Sequence, residues 1–247
     1  MKGPEAPAAP LAPDDFVTRL REEGVRRYHD RHAFHRLMHE GKLTRAQLQA
    51  WVLNRYYYQT RIPIKDALIV AKSEDPEFRR SWLHRIVDHD GEGPESQNSG
   101  GLALWLRLAE AVGLDRAEVA SCRSVLPGLR FACDAYVALV RESPLVVAVA
   151  SSLTEMFAPD LMSARIAAWE THYPWVGAEA LGYFKVRVTR ARRDGEEGLG
   201  FVVAHASSRA LQDACVAALV RKTEILWHLL DCVHAASVTG TAAAGAR

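Results

Sequence analysis

Residues 54–66, with the sequence NRYYYQTRIPIKD, concentrate polar and ionisable side chains within a helical pattern. Arg55, Tyr58 and Gln59 lie three or four positions apart, so a helix places them on one face. A cation, a phenol and an amide on one face can bind a planar ligand that carries a carboxylate. A solvated helix kinked at Pro63 explains the same residues, and the segment alone leaves both interpretations open.

A second group of ionisable residues precedes the polar loop of residues 91–101. Arg85 and His89 are four apart and share a helical face, with Asp88 and Asp90 beside them. Imidazole titrates near neutral pH, so a histidine next to a flexible loop can act as a general acid or base. A histidine that interacts with the dipole at the end of a helix is the alternative.

Polar groups also interrupt later apolar helices. Residues 151–159, SSLTEMFAP, place hydroxyls and Glu155 in an apolar stretch. Buried glutamate is rare unless it is paired, and both an arginine pair and a substrate contact remain open. Tyr183 and Arg187 share a face, and Lys222 lies on the apolar last helix. This lysine either extends to solvent or points its charge into a pocket.

Metal and thiol chemistry receive little support from the sequence. Di-iron bundles use several carboxylates and paired Glu-x-x-His motifs, whereas His29, His32 and His35 lack such partners and Asp231-x-x-His234 is a single near-match. The four cysteines form no Cys-x-x-Cys pair, which indicates buried free thiols. We therefore predict no metal site.

Composition limits the class of protein. The 247 residues are 49% hydrophobic, enough for one domain with a full core. A formal net charge of +1 argues against nucleic-acid or anionic-membrane partners. We find no signal-like segment near Met1 and no apolar run that predicts a membrane span, so we expect a cytoplasmic protein.

The periodicity predicts an all-α protein with no sheet. We expect a disordered leader at 1–13, a single domain at 14–237 and a flexible tail at 238–247. Asp14 and Asp15 are candidate caps of the first helix, Thr44 and Gln47 predict a capping box, and Asp75-Pro76 predicts another helix start. The predicted helices cover about 14–23, 26–39, 44–72, 76–89, 102–112, 121–141, 144–157, 159–170, 178–192, 195–205 and 208–236.

Residues 28–236 resemble the pyrroloquinoline quinone (PQQ) synthase family, PqqC. The motifs that carry the resemblance are RYH at 27–29, NRYYYQ at 54–59 with Ile62-Pro63, RIVDHDG at 85–91, Leu126-Pro127 before RFA at 130–132, DAY at 134–136, SSLTEMFAP at 151–159, HYPW at 172–175 and YF at 183–184. Their common order and spacing make the resemblance specific.

The resemblance implies a compact seven-helix bundle with a haem-oxygenase-like fold, usually a homodimer. It also implies the last step of PQQ biosynthesis. In that step a quinone precursor with several carboxylates, AHQQ, undergoes ring closure and multi-electron oxidation by O2, which yields PQQ and hydrogen peroxide. The family uses no metal and no redox cofactor. Other PQQ-biosynthesis proteins are the partners that it implies.

The resemblance also implies roles for individual residues. His89 matches the base that removes ring protons, and Tyr183 and Arg187 match groups near the oxygen and peroxide site. The resemblance also places His29 among the catalytic residues. Lys65 adds charge. Substrate-holding positions are matched by Tyr28, His29, Arg55, Gln59, Arg85, Tyr136, Thr154, Glu155, Arg165 and Lys222.

Two features separate this chain from some family members. Met162 stands one turn before Arg165, where some members carry a histidine. We also expect that the precursor-binding domain fused to some members does not follow the last helix. Two other functions stay open. A metal-dependent oxygenase on the same fold would need ligands where Tyr183, Arg187 and Arg190 lie, and a non-catalytic quinone carrier would keep the pocket without turnover.

Overall fold

The computed structural model describes residues 8–93 and 96–239, and within these ranges the regular structure is helical, without a strand. The predicted all-α class is therefore confirmed. The α-helices are α1 (Pro13–Arg27), α2 (Ala33–His39), α3 (Arg45–Ala71), α4 (Pro76–Asp90), α5 (Gly100–Ala111), α6 (Arg116–Ser121), α7 (Pro127–Glu142), α8 (Leu145–Ala150), α9 (Ala158–His172), α10 (Gly182–His205) and α11 (Arg209–His234). Short 3-10 helices cover His29–Arg31, Leu153–Phe157, Pro174–Val176 and Ala178–Leu181, and a π-helix covers Ala235–Thr239.

The described residues thus form more helical segments than the seven that the resemblance implies, partly because α2, α6 and α8 are only six or seven residues long. The predicted helix at 26–39 is wrong. The chain turns at Tyr28, which has an extended ψ of 144°, and His32 caps α2 by accepting the Phe34 N–H at 3.0 Å. This turn directs Tyr28 and His29 into the core.

The first helix starts differently from the prediction. Ala12 is its N-cap, and Asp14 and Asp15 lie within the first turn. Their carboxylates therefore act on the positive end of the helix dipole and do not cap it. The Thr44–Gln47 capping box and the Asp75 cap are both present as predicted. Helix α3 continues through Pro63.

Two predicted helices are divided in the structure. The predicted helix at 121–141 begins only at Pro127, because Cys122 takes a left-handed conformation with φ 53° and ends α6. The predicted helix at 144–157 stops at Ala150, where the Ser151 hydroxyl donates to the Ala148 carbonyl at 2.7 Å. Such local bonds compete with helix propagation. The following 3-10 turn places Thr154 and Glu155 toward the interior.

Helix α10 is continuous where the sequence predicts a break at 193–194. Gly195 serves close packing there, since a Cβ at this position would lie 3.1 Å from the Met156 backbone nitrogen. The glycine therefore brings α10 against the 3-10 turn that carries Glu155.

An aromatic cluster fills the centre of the bundle. Trp51, Trp105, Trp169 and Phe184 come from α3, α5, α9 and α10, and their ring centroids lie 5.4–6.4 Å apart in the closest pairs. All four side chains are fully buried. This cluster fixes the inner faces of the helices around it.

The predicted leader and tail are described only in part. Residues 1–7 and 240–247 lie outside the described residues. Further along, the Leu11 N–H donates to Gln212 Oε1 at 2.8 Å, and Gln212 Nε2 donates back to the Leu11 carbonyl at 3.1 Å. The end of the predicted leader is thus hydrogen-bonded to α11.

One stretch corrects the expectation about apolar runs. Leu145–His172 is long and apolar enough to cross a membrane by length and composition, with a mean hydropathy of 1.4 over its most apolar window. That window is 56% buried inside the fold, and the stretch comprises α8, a 3-10 turn and α9. Its apolar character therefore has a sufficient explanation in core packing.

Candidate active site

Buried polar side chains from several elements meet beside the aromatic cluster. They come from α3, α4, α9, α10, α11, the Tyr28–His29 turn and the 3-10 turn at 153–157. Burial of ionised groups is costly unless they are paired. The cations of this region fall into two sets, one paired with carboxylates and one without them.

The first set is paired by Glu155 and Asp194. Arg85 Nη1 donates to Glu155 Oε2 at 2.6 Å, and its Nη2 donates to the Asp194 carbonyl at 2.5 Å. Arg187 lies 3.7 Å from Glu155 Oε1 and 3.2 Å from Asp194 Oδ2. Burial opposes both charges, but these carboxylates outweigh it and raise the pKa of each arginine. Glu155 is thus an arginine partner in the free protein, as one of the two sequence interpretations held.

Lys65 belongs to the same paired set. Its Nζ lies 2.6 Å from Asp66 Oδ1 and donates to Ser152 Oγ at 2.8 Å. Burial disfavours its charge, but Asp66 outweighs this effect and raises the lysine pKa to about 12. Asp66 also accepts from Trp82 Nε1 at 2.8 Å. Lys65 therefore adds little uncompensated charge.

Arg55, Arg165 and Lys222 form the second set, which we call the unpaired cations. Within the described parts of the chain none of them has a carboxylate at ion-pair distance. The Arg55 guanidinium lies 3.9 Å from the centroid of the Tyr58 ring, as their shared helical face predicts. The Lys222 Nζ donates to Tyr58 Oη at 2.9 Å and lies 3.2 Å from the Tyr136 ring centroid.

Arg165 is fully buried against the aromatic cluster. Its guanidinium lies 5.0 Å from the centroid of the Trp51 ring. Nη2 contacts His35 Nε2 at 3.1 Å and Nη1 contacts Met162 Sδ at 3.8 Å. Burial and the nearby Arg55 charge lower its pKa to about 9. A neutral imidazole and a thioether thus occupy positions where a carboxylate would neutralise the charge.

The unpaired cations act on a common set of neighbours. Burial, then Arg55, lowers the pKa of Lys222 well below its ordinary value. Burial, then Arg55, Arg165 and Lys222, does the same to the pKa of His29. The Nδ1 atom of His29 is buried and has no hydrogen-bond partner among the described residues. This part of the interior therefore has an excess of positive charge, which favours an anionic ligand.

His89 is held as a neutral imidazole with one free nitrogen. Its Nδ1 lies 3.1 Å from the Arg85 carbonyl, which can only accept, so Nδ1 carries the proton. Nε2 is buried and lacks a hydrogen-bond partner among the described residues. Burial, then Arg187, lowers its pKa to about 3. The buried position differs from that of a histidine that only stabilises a helix end.

Tyr183 lies next to His89, and Gly101 leaves the space between them. A Cβ on Gly101 would lie 3.3 Å from Tyr183 Cε2 and 3.5 Å from His89 Cδ2. Tyr183 Oη donates to Gln59 Oε1 at 2.7 Å. The base candidate, the phenol and the amide are thereby brought into one region.

The remaining predicted residues also lie in the interior. Tyr28 and His29 are in edge contact, with centroids 4.4 Å apart. Tyr136 Oη and Ser152 Oγ are 3.4 Å apart, and Thr154 is 6% exposed on the 3-10 turn. The structure thus places every predicted site residue in the core except Arg55 and Glu155, which are partly exposed.

Metal ligands are available at one place among the described residues. His84, Asp194 and Glu197 have ligand atoms within 4.8 Å of one another. Arg187 already donates to Asp194, and Arg85 Nη2 lies 3.8 Å from Glu197. These cations oppose binding of a metal dication, so the group is better described as part of the ion-pair network.

The ring nitrogens of His32 and His35 are committed to other contacts, whereas His29 Nδ1 has no hydrogen-bond partner among the described residues. His32 caps α2 through Nδ1, and its Nε2 lies 3.0 Å from Asp231 Oδ1. His35 uses both ring nitrogens, at 3.0 Å from the His29 carbonyl and 3.1 Å from Arg165. Arg190 contacts Asp88 Oδ1 at 3.1 Å and holds the end of α4.

Sequence reasoning missed three residues of this region. Asp194 lies seven residues after Arg187 on one helix, a spacing that places the two on the same side. His35 was considered only as a metal ligand, and Gly101 had no comparable signal, since the partners of both are distant in sequence.

A sequence profile described as the TENA/THI-4/PQQC family matches residues 18–232. The chain therefore belongs to this family. The fold agrees: a TenA homolog from Pseudomonas syringae pv. tomato has a TM-score of 0.71 at 14% identity, covering 94% of this chain and 97% of that one. A Shewanella denitrificans domain of unknown function with a heme oxygenase-like fold has a TM-score of 0.70 at 15% identity, covering 90% and 92%. The predicted haem-oxygenase-like fold is confirmed.

Closer relatives carry a more specific name. A pyrroloquinoline-quinone synthase from Rhizobium meliloti is 54% identical over 224 residues, covering 91% of this chain and 86% of the relative. One from Xanthomonas euvesicatoria pv. vesicatoria is 51% identical over 229 residues, covering 93% and 90%. The predicted resemblance to PQQ synthases is thus confirmed.

Proposed function

We propose that this protein catalyses the final step of PQQ biosynthesis, the ring closure and O2-dependent oxidation of AHQQ to PQQ with release of hydrogen peroxide. We further propose that it needs no metal or redox cofactor, because the quinone substrate is itself redox-active. The relatives named PQQ synthases support the pathway. Two observations support the reaction at this site: the three unpaired cations, and a neutral His89 whose Nε2 has no hydrogen-bond partner among the described residues.

The unpaired cations match the charge of the proposed substrate. AHQQ carries several carboxylates, and arginine offers them a planar pair of donors. Arg55, Arg165 and Lys222 are held by rings, a thioether and a phenol, all of which leave the positive charge uncompensated. A bound polycarboxylate would supply the missing negative charge, and would offset the electrostatic cost that the free protein carries.

His89 has the geometry of a base for ring protons. Its Nε2 offers a lone pair, and the bond from Nδ1 to the Arg85 carbonyl fixes the ring. The pKa of about 3 belongs to the free protein. Carboxylates bound nearby would raise the pKa of His89, because opposite charge stabilises imidazolium. The imidazole then becomes a stronger base only when substrate is present.

Tyr183 and Arg187 supply hydrogen-bond donors near the proposed oxygen and peroxide site. Arg187 shares its charge with Glu155 and Asp194. It would therefore stabilise superoxide or peroxide mainly through oriented N–H groups.

The test mixes metal-stripped and metal-assayed protein with AHQQ, with and without O2, and follows the quinone spectrum. We expect PQQ only in the presence of O2 and without bound metal. Turnover that requires restored iron or another metal would refute the cofactorless mechanism. Binding without any turnover would support a quinone carrier.

A homodimer, a cytoplasmic location and exchange of precursor or product with other PQQ-biosynthesis proteins complete the proposal. They rest on the family resemblance. Sedimentation of the purified protein at micromolar concentration tests the dimer, and a monomer would contradict it.

A further inference from the structure

The contact between His35 and Arg165 differs from the contacts of Arg85 and Arg187. Arg85 and Arg187 are held by carboxylates at 2.6–3.7 Å. Arg165 is held by an imidazole, with its Nη2 at 3.1 Å from His35 Nε2. Both side chains are at least 97% buried.

The hydrogen bonds fix the charge of His35. A guanidinium nitrogen can only donate, so His35 Nε2 must present its lone pair to Arg165. On the other side of the ring, Nδ1 lies 3.0 Å from the His29 carbonyl, which can only accept, so Nδ1 carries the proton. His35 is therefore neutral, and burial and Arg165 lower its pKa well below the ordinary value.

A neutral acceptor such as His35 does not cancel the charge of the arginine that it contacts, whereas a carboxylate would. The imidazole orients the guanidinium and satisfies one donor while it leaves the full positive charge of Arg165. The Nε atom of Arg165 is also buried and lacks a hydrogen-bond partner within the described residues. Arg165 thus retains its positive charge and one N–H donor that a ligand can use. Arg55 and Tyr183 are close enough to interact with it electrostatically.

We propose that His35 is a positioning residue, which aims Arg165 at a carboxylate of the bound quinone and leaves its charge uncompensated. The inference rests on the proposed function for the identity of the ligand. His35 itself touches no substrate in this scheme and acts only through Arg165.

Three substitutions at one position separate positioning from packing. His35→Gln keeps a neutral acceptor, His35→Phe keeps the ring without an acceptor, and His35→Glu supplies an acceptor that cancels the charge. His39→Phe is the matched control, because His39 stacks on His35 at 5.9 Å and has no hydrogen bond to Arg165 among the described contacts. PQQ is the probe, and its affinity and the melting temperature are measured for each full-length variant.

We expect affinity within about threefold of wild type for His35→Gln and for the control, and a loss of about tenfold or more for His35→Phe and His35→Glu. The glutamate variant decides the question, since it gives Arg165 its strongest partner. If packing alone mattered, affinity would follow melting temperature across the series, and a stable His35→Glu protein would bind PQQ normally. That result would overturn the proposal.

Two further readouts do not depend on catalysis. In an Arg165→Ala background, His35→Phe should cost little additional PQQ affinity, whereas an undiminished cost would show that His35 does not act through Arg165. The 15N shifts of His35 in the ligand-free protein should report the neutral Nδ1–H form at pH 7, and an imidazolium or an Nε2–H form would refute the proposed contact. Failure of wild-type protein to convert AHQQ would count against the proposed reaction and leave these results standing.

Discussion

Lys65 and Lys222 offer a direct test of the division between paired and unpaired cations. Each lysine is 1% exposed, yet Lys65 lies 2.6 Å from Asp66, whereas Lys222 contacts the Tyr58 hydroxyl and the rings of Tyr58 and Tyr136 and has no carboxylate at ion-pair distance among the described residues. Methionine replaces either side chain with similar volume and no charge. We therefore expect Lys65→Met and Lys222→Met to change the stability of the ligand-free protein very differently.

The magnitudes follow from the partners. Lys65→Met leaves the buried Asp66 carboxylate without its cation, which costs about 3–5 kcal/mol. Lys222→Met removes an uncompensated buried charge, a gain of similar size, and loses a charged hydrogen bond of about 1.5–3 kcal/mol and a cation–π contact of about 2 kcal/mol. These terms nearly cancel. The two variants should then differ by about 3–5 kcal/mol, or about 6–20 °C in melting temperature for a chain of this size.

Urea unfolding and calorimetry at pH 7.5 measure the difference in stability between the two variants. The exposed Lys42→Met variant is the surface control, and its free energy of unfolding should change by less than about 0.5 kcal/mol. PQQ titration on the same samples should show that Lys222→Met nevertheless loses about tenfold or more in affinity. Equal destabilisation by Lys65→Met and Lys222→Met would refute the division into two sets of cations.

The pH dependence of the free energy of unfolding gives an independent test of the buried charge on Lys222. Its folded pKa lies below that of the unfolded chain, so below the folded pKa the protein carries the full cost of the buried charge. Stability contributed by this residue therefore rises as pH increases from the folded pKa toward about 10.5. Lys222→Met should lack this increase.

Three other substitutions test neighbouring features. Glu155→Gln removes the carboxylate between two buried arginines and should lower the free energy of unfolding by about 3 kcal/mol, against less than about 0.5 kcal/mol for the exposed control Glu110→Gln. His89 has a folded pKa of about 3, so above about pH 6.5 it is neutral in both the folded and the unfolded chain and adds no pH dependence to stability. Between pH 6.5 and 3 only the unfolded chain binds this proton, so the free energy of unfolding falls by about 1.4 kcal/mol per pH unit, and His89→Gln should lose that part of the acid sensitivity in urea titrations at pH 7 and 5. Gly24→Ala would place a Cβ 2.2 Å from the Phe157 ring and should destabilise the protein by about 1–3 kcal/mol, whereas the helical control Gly200→Ala, with nothing within 4 Å, should stabilise it by about 0.4–1 kcal/mol in thermal unfolding.

Each of these has a clear contrary outcome. A Glu155→Gln protein as stable as its surface control would mean that the two arginines do not depend on that carboxylate. Unchanged acid sensitivity in His89→Gln would show that His89 is not held neutral. Equal effects of Gly24→Ala and Gly200→Ala on stability would show that Gly24 does not pack closely against Phe157.

The sequence alone determined those features that depend on near neighbours. Helical periodicity predicted an all-α protein, and Thr44 with Gln47 predicted a cap that the structure contains. The spacing of Arg55, Tyr58 and Gln59 placed them on one face, because a helix repeats every 3.6 residues. Helix breaks were less predictable: a left-handed Cys122 and the contact of Gly195 with the Met156 backbone depend on what packs nearby.

Only the tertiary structure decided which cations are compensated. Arg85 and Glu155 are 70 residues apart, and His35 and Arg165 are 130 apart, so no local pattern predicts either contact. Periodicity determines the face of a helix, but the free energy of a charge depends on its burial and on the groups within a few ångströms. The sequence therefore supplied the arginines and lysines of the site, and packing of distant helices left three of them without a carboxylate at ion-pair distance in the described part of the chain.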